Sequence, residues 1–372
     1  MTGQLIHTAA ALEGLCRQLR DSPWIALDTE FARAKTYYAR LCLVQVAAPG
    51  VLACVDTLAL ADISPLLDLI YAPRTLKVFH SARQDLEVFY DLKGSPPAPV
   101  FDTQIAAALT GHGDQIGYAA LVATVTDVRL DKLHTRADWE RRPLAPELIR
   151  YAEDDVRYLG ELYLALDRKL AALERQAWLE EECAALTAPA LYRNDPDDAW
   201  RRLPQAHYLP PAAQTVLKEL AAWRERAAQQ RNLPRAWVLP DAALLDIARA
   251  TPDSLDGLSR ITGVGGTIAR TWGEDILAAV RRGLSAPARR WWDAPARLDR
   301  EQQALYERMS ARLRALAAER NISPTLLASR KDILALLRGD PAAALAHGWR
   351  RELVGAELLA LRAAGAPNEI GP

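Results

Sequence analysis

The chain has 372 residues, 50% apolar and 25% charged, with a formal net charge of −1. At roughly 150 residues per domain that is about two and a half domains; the balance excludes a disordered chain, and no run approaches the roughly eighteen apolar residues of a membrane span. Residues 1–190 carry 19 Lys and Arg against 26 Asp and Glu, whereas residues 191–372 carry 27 against 21, and only seven of the 46 cations are lysine. An acidic half suited to cations joined to an arginine-rich half suited to phosphates suggests a nucleic-acid enzyme; an Arg- and Ala-rich composition by itself is the other explanation.

The first 110 residues alternate strand and helix signals. PWIALDTEF reads as a short strand, and LCLVQVAA and VLACVDT flank Pro49-Gly50 as a hairpin. ISPLLDLIY is a helix, LKVFH a strand, SARQDLEVFYDLKG a helix closed by Gly94, and VFDTQIAAALT a strand passing into a helix. This is α/β architecture. From Pro146 to about Leu186 runs one long helical pattern. Loop-rich stretches at 187–211 and 283–299 then enclose two helical blocks. AAQQRNLP (227–234) echoes LAAERNIS (316–323) at an offset of 89 residues, as two copies of a small module would; chance within Ala- and Arg-rich helices is the alternative.

Carboxylates stand where apolar residues belong. Asp28 and Glu30 share one face of their strand and precede Phe31 and Arg33. Asp85 borders the stripe formed by Val88, Phe89 and Leu92, and His80 ends the strand before it, either as a satisfied core histidine or as a site residue. Asp155 falls in step with Leu148, Ala152, Leu159, Leu162 and Leu166, and Tyr151 lies one turn before it. A charge on a buried face is costly unless paired or metal-bound. Four such acids with no matching lysines describe a site for Mg²⁺ or Mn²⁺, with a structural salt bridge at Asp155 as the alternative. Two such ions suit in-line attack on a phosphodiester.

These motifs resemble a known family. DTEF, HSARQD, FDTQIAA with Asp102, and YAEDD are similar to the three exonuclease motifs of the DEDD superfamily, and Tyr-x-x-x-Asp marks its tyrosine subgroup. The spacing and the stretch IGYAALVATVTDVRLDKLHTRADW resemble the bacterial ribonuclease D family. WRERAAQQRNLP and NISPTLLASRKDI are similar to openings of HRDC (helicase-and-RNase-D C-terminal) domains. The resemblance implies an α/β ribonuclease-H-like exonuclease domain with a mixed five-stranded sheet, followed by two all-α HRDC-like domains. The expected boundaries are 1–190, a linker at 191–211, 212–283, a linker at 284–299, and 300–372.

It also implies a 3′→5′ exoribonuclease that trims RNA 3′ ends, such as those of tRNA precursors, and releases nucleoside 5′-monophosphates. Asp28, Glu30, Asp85 and Asp155 would hold two divalent ions, and Tyr151 would orient the attacking water. Phe31 would lie against the terminal nucleotide, and Asp102 would support the site from its edge. Arg33, His80 and Arg141 are further candidate substrate contacts. A DNA exonuclease of the same chemistry and a catalytically silent RNA-binding protein are the alternatives; the intact acids speak against the latter.

Weaker signals complete the reading. GVGG (263–266) lacks the Lys of a phosphate loop and fits a helix–helix turn. Arg289, Arg290, Trp291 and Trp292 either stack bases or dock a linker. Arg141 and Arg142 either grip the scissile strand or form a solvated charge run. Cys16, Cys42, Cys54 and Cys183 lie far apart, so neither a zinc site nor disulfides are expected. The opening residues show no secretory pattern, and a cytoplasmic location without a membrane or protein partner is expected.

Overall fold

The structure, a computed structural model, describes residues 3–130, 137–292 and 297–365. They form two compact units: residues 1–31, 41–191 and 298–372 make one, and residues 32–40 and 192–297 the other.

The first unit is built on a mixed sheet of six strands, not five. These are β1 (Gln4–Ile6), β2 (Trp24–Ala32), β3 (Arg40–Ala48), β4 (Val51–Asp56), β5 (Leu76–Phe79) and β6 (Val100–Asp102), in the order β1-β4-β3-β2-β5-β6. The extra strand is three residues long, too short for a period-2 signal, and it exists because β4 offers an edge: Gln4 pairs with Ala53 and Ile6 with Val55, in parallel. β3 and β4 form the expected hairpin, with Ala48 opposite Val51 and Gly50 at a φ of 79°. β2, β5 and β6 run parallel, with Ala26 opposite Val78 and Phe79 opposite Asp102. Lys77 of β5 is wholly buried and donates to the carbonyls of Ala72, Thr75 and Ala98 at 3.0, 2.7 and 2.6 Å, and burial pulls its pKa down to about 8.

The helices of this domain are α1 (Ala9–Leu19), α2 (Ser64–Ile70), α3 (Arg83–Lys93), α4 (Thr103–Leu109), α5 (Tyr118–Thr126), α6 (Pro146–Arg157), α7 (Leu159–Ala172) and α8 (Gln176–Leu186). The long helical pattern from Pro146 is therefore three helices. The first break lies at Tyr158, and the second at Glu174, which adopts a φ of 56°. The apolar stripe continues across both breaks, which is why periodicity does not reveal them. Gly160, in the first turn of α7, stands where a β-carbon would sit 2.3 Å from the Trp24 ring, so only glycine lets this helix lie against Trp24 of β2.

Two helical blocks repeat one another element by element. Pro211–Arg231, Arg235–Val238 and Asp241–Ala250 in the first correspond, at the same offset of 89 residues, to Arg300–Glu319, Pro324–Leu327 and Arg330–Arg338 in the second. Asn232 and Asn321, the equivalent residues of the sequence echo, both adopt a φ of 50° just past the long helix. The second block shares an apolar core with the α/β domain. Arg175 donates to the carbonyls of Leu109 (2.5 Å) and Arg320 (2.7 Å), Trp178 stacks on Trp349 at 4.9 Å, and Glu182 pairs with Arg350.

In the second unit the tryptophan pair of the linker is docked. Gln214 accepts from the backbone of Trp291 (2.7 Å) and Trp292 (3.0 Å), Trp292 is buried, and Trp200 meets both rings edge-on. The basic-aromatic cluster is thus a packed linker, with Lys218 and Arg289 over the Trp291 ring. Residues 32–40 also belong here: the Asn232 side chain accepts from the backbone of Tyr37 and Tyr38 at 3.0 Å, and the Tyr37 phenol donates to buried Glu225.

Candidate active site

β2 carries the first two acids. Strand alternation sends Asp28 and Glu30 to one face, while Thr29 between them donates its hydroxyl to Asp85 at 2.5 Å. Asp85 lies in the first turn of α3 and is buried. α6 supplies Asp155 and, one turn earlier, Tyr151, whose phenol is hydrogen-bonded to the Asp155 carboxylate. Asp28, Glu30 and Asp155 each bring a carboxylate oxygen within 4.8 Å of the others. Asp85 stands behind this trio, tied to Thr29.

The electrostatics are those of crowded acids. Burial raises Asp28 well above the ordinary aspartate range, and the charges of Asp85, Asp155 and Glu30 add to it. Burial and then Asp155 and Asp85 push Glu30 up to about 8. Asp85 is raised by burial to about 7 against the Thr29 hydrogen bond. Asp155 is raised to about 7 by burial and Asp154, and the Tyr151 hydroxyl partly offsets this. Among the described residues no lysine or arginine forms an ion pair with any of the four. The salt bridge considered for Asp155 is absent among them. An all-oxygen set lacking its own counter-charge fits a hard divalent cation.

Supporting contacts hold these acids in place. Asp102 accepts four backbone N–H groups: Ser81 (3.1 Å) and Ala82 (2.8 Å) at the turn into α3, and Gln104 (2.8 Å) and Ile105 (3.3 Å) at the start of α4. It ties the turn before Asp85 to the end of β6. Ahead of α6, Arg142 clamps Asp56 with two 2.7 Å bonds and donates to the Cys42 and Trp139 carbonyls. Arg141 is exposed, so the two arginines are not one charge run.

A cleft of about 270 Å³ opens over the acids, lined by Phe31, His80, Gln84, Tyr118, Tyr151 and Leu159 as well. His80 uses both ring nitrogens, one with the Thr103 hydroxyl (2.9 Å) and one with the Ile116 carbonyl (3.0 Å). Arg33 is exposed and lies in the second unit. Thr29, Gln84 and Tyr118 went unnoticed in the sequence. Thr29 had a readable signal, since a threonine between two strand acids must face away from them. Residues 131–136 of the stretch after α5 lie outside the described residues.

Known proteins match this arrangement along the whole chain. The 3′-5′ exonuclease family model matches residues 4–171 and the HRDC domain model residues 213–280. The ribonuclease D of Nitrobacter hamburgensis is 40% identical over 96% of this chain and 94% of its own, and that of Pseudomonas paraeruginosa 38% identical over 96% of each. The crystal structure of Escherichia coli RNase D, an exoribonuclease involved in structured RNA processing, superposes with a TM-score of 0.87 at 33% identity, covering 98% of this chain and 99% of that one. The acids on β2, α3 and α6 thus sit on a fold shared from end to end with these enzymes, and the chain belongs to the ribonuclease D family, the 3′→5′ exoribonucleases of the DEDD superfamily.

Proposed function

We propose that this chain removes nucleotides one at a time from RNA 3′ ends, tRNA precursors among them, by two-ion hydrolysis that releases nucleoside 5′-monophosphates. The observation that carries this reading is the Asp28–Glu30–Asp155 trio within 4.8 Å beside a tyrosine hydrogen-bonded to Asp155. Asp28, Glu30, Asp85 and Asp155 would hold two Mg²⁺ or Mn²⁺ ions, which supply water activation and charge neutralisation at the leaving oxygen. The Tyr151 phenol is raised by burial and by the surrounding acids, so it keeps its proton and orients the attacking water rather than deprotonating it. Phe31 lies at the cleft wall, where its ring would support the terminal base. His80 shapes the wall, since its nitrogens are engaged. Arg33 and Arg141 are exposed cations suited to phosphates. Asp102 keeps the α3 turn, and so Asp85, in register. The RNA preference is carried over from the Escherichia coli enzyme's role in structured RNA processing.

Among the described residues no helix is long and apolar enough to cross a membrane, and all four cysteines are free, which fits a cytoplasmic enzyme. The test is a 5′-labelled RNA with a free 3′ hydroxyl, incubated with Mg²⁺ or Mn²⁺, beside DNA of the same sequence. A ladder shortening from the 3′ end of the RNA supports the reading. Internal cuts, no ion dependence, or preference for DNA would overturn it.

A further inference from the structure

Gln45 stands in the middle of β3, wholly buried, and among the described residues neither its amide nitrogen nor its amide oxygen has a hydrogen-bond partner. Its neighbours along the strand are Leu43, Val44, Val46 and Ala47. A leucine or valine would fill the same space without stranding two polar atoms, so the amide calls for a polar role.

Strand alternation locates it. Ala47 and Leu52, paired across β3 and β4, lie in the same apolar core as Ala26 of β2 and Val156 of α6. Two residues along the three strands from Ala47, Leu52 and Ala26 stand Gln45, Cys54 and Asp28, which therefore share that face. Gln45 and Cys54 are direct cross-strand partners. The Cys54 thiol is pushed up by burial and then by Glu153, Asp155 and Asp28, an independent sign that this patch looks onto the acids. By contrast, buried Asp56 of β4 is paired with Arg142, and buried Glu153 of α6 with Arg157.

We propose that Gln45 is a positioning residue of the ion site, its amide bracing the inner edge of the Asp28 and Asp155 carboxylates through buried water. A primary amide offers donors and an acceptor together, the combination a bridging water requires. Such outer partners fix the direction in which a carboxylate presents its oxygens, and so the affinity for the cation. The inference rests on the ion-site reading above.

The experiment is calorimetric titration of Mn²⁺ into the wild-type protein and Gln45→Met, which is apolar and close in volume, with turnover followed as a function of ion concentration. Gln45→Met is expected to bind the ion about tenfold or more weakly. Its ion requirement should rise by more than kcat falls, and its melting temperature in chelator should hold or rise. Equal ion affinity in the two proteins overturns the inference and leaves Gln45 a space-filler, whereas failure of the wild type to bind ion overturns the ion-site reading itself. Should Gln45→Met not fold, Gln45→Asn carries the comparison, since it keeps the amide and withdraws it by one methylene: weaker binding supports the role, and unchanged binding overturns it.

Discussion

Asp155 is hydrogen-bonded by a neutral tyrosine and crowded by other acids, and that sets what its loss should do. Asp155→Asn removes one proposed ion ligand and one charge from a crowd. Exonuclease activity is expected to fall by about a thousandfold or more, because ion stabilisation of the transition state amounts to several kcal/mol. The ion-free fold should melt at the same temperature or higher, and near-normal turnover at saturating Mg²⁺ would remove Asp155 from the site. Tyr151→Phe should leave ion affinity intact and lower kcat by about a hundredfold or more, as for a positioned hydroxyl; weakened ion binding would make Tyr151 structural. The raised carboxyls also give a pH signature. Glu30 at about 8, and Asp85 and Asp155 at about 7, exceed their unfolded values near 4. Groups raised by folding stabilise the protein while protonated and lose that contribution as pH rises through the folded values. Ion-free protein should therefore melt lower at about pH 9 than at about pH 6, and Mg²⁺ should recover more stability at the higher pH. Thermal scans in chelator that show no such slope would contradict the crowding of these acids. Asp155 and Tyr151 were legible because four-residue spacing on a helix is a strong geometric statement. Gln45 was not, because one amide in an apolar strand carries no period and its meaning depends on strands that meet only in the fold.

The elements show where periodic patterns inform and where they fall silent. The Pro49-Gly50 hairpin, the Gly94 stop and the passage from β6 into α4 were all readable, since each has a local chemical cause. β1 was not, because it depends on an edge that β4 provides. Nor was the division of the long helical pattern into α6, α7 and α8, because a stripe can pass through a kink without changing phase. The 89-residue echo was legible as two copies of a small helical module, and the left-handed conformation of Asn232 and Asn321 past the two long helices gives it a mechanism. Asp102 shows how one residue joins elements. The strand-to-helix passage that contains it was readable, whereas its hold on Ser81 and Ala82, 21 and 20 residues earlier, needed the folded sheet. Asp102→Ala strands four backbone donors, and a lost cap with unsatisfied buried groups should cost about 2 kcal/mol or more. Because the turn before Asp85 then loosens, kcat should fall with stability. Asp102→Asn keeps an acceptor at the cap and should recover part of both. Urea unfolding and turnover measured together check this, and unchanged activity in a destabilised Asp102→Ala protein would confine Asp102 to folding.

At the scale of the whole chain, charge suggested that the entire arginine-rich half holds RNA, and the structure divides that half. Residues 191–297 carry 16 Lys and Arg against 12 Asp and Glu, while residues 298–372 carry 11 against 9. The latter block is packed into the catalytic unit, where the Arg175 bonds, the Trp178–Trp349 stack and the Glu182–Arg350 pair face the exonuclease helices. Sequence could not reveal this, because a helical module shows the same stripe whether it binds a ligand or braces a neighbour. A protein ending at Arg297 would expose Trp178 and the apolar surface under the second block, at about 2 kcal/mol for each large side chain returned to water. Against a typical domain stability of about 5–15 kcal/mol, several such losses should lower the melting temperature of the catalytic unit sharply. RNA affinity and its salt dependence should change less, since the more basic block and its packed Trp291 linker remain. Calorimetric melting and RNA binding across a salt series, for this truncation and the full chain, separate the two roles. Unchanged melting with a shallower salt slope would make residues 298–372 an RNA-binding module. Lost stability with a retained slope makes them a brace that the catalytic fold has taken into its own core.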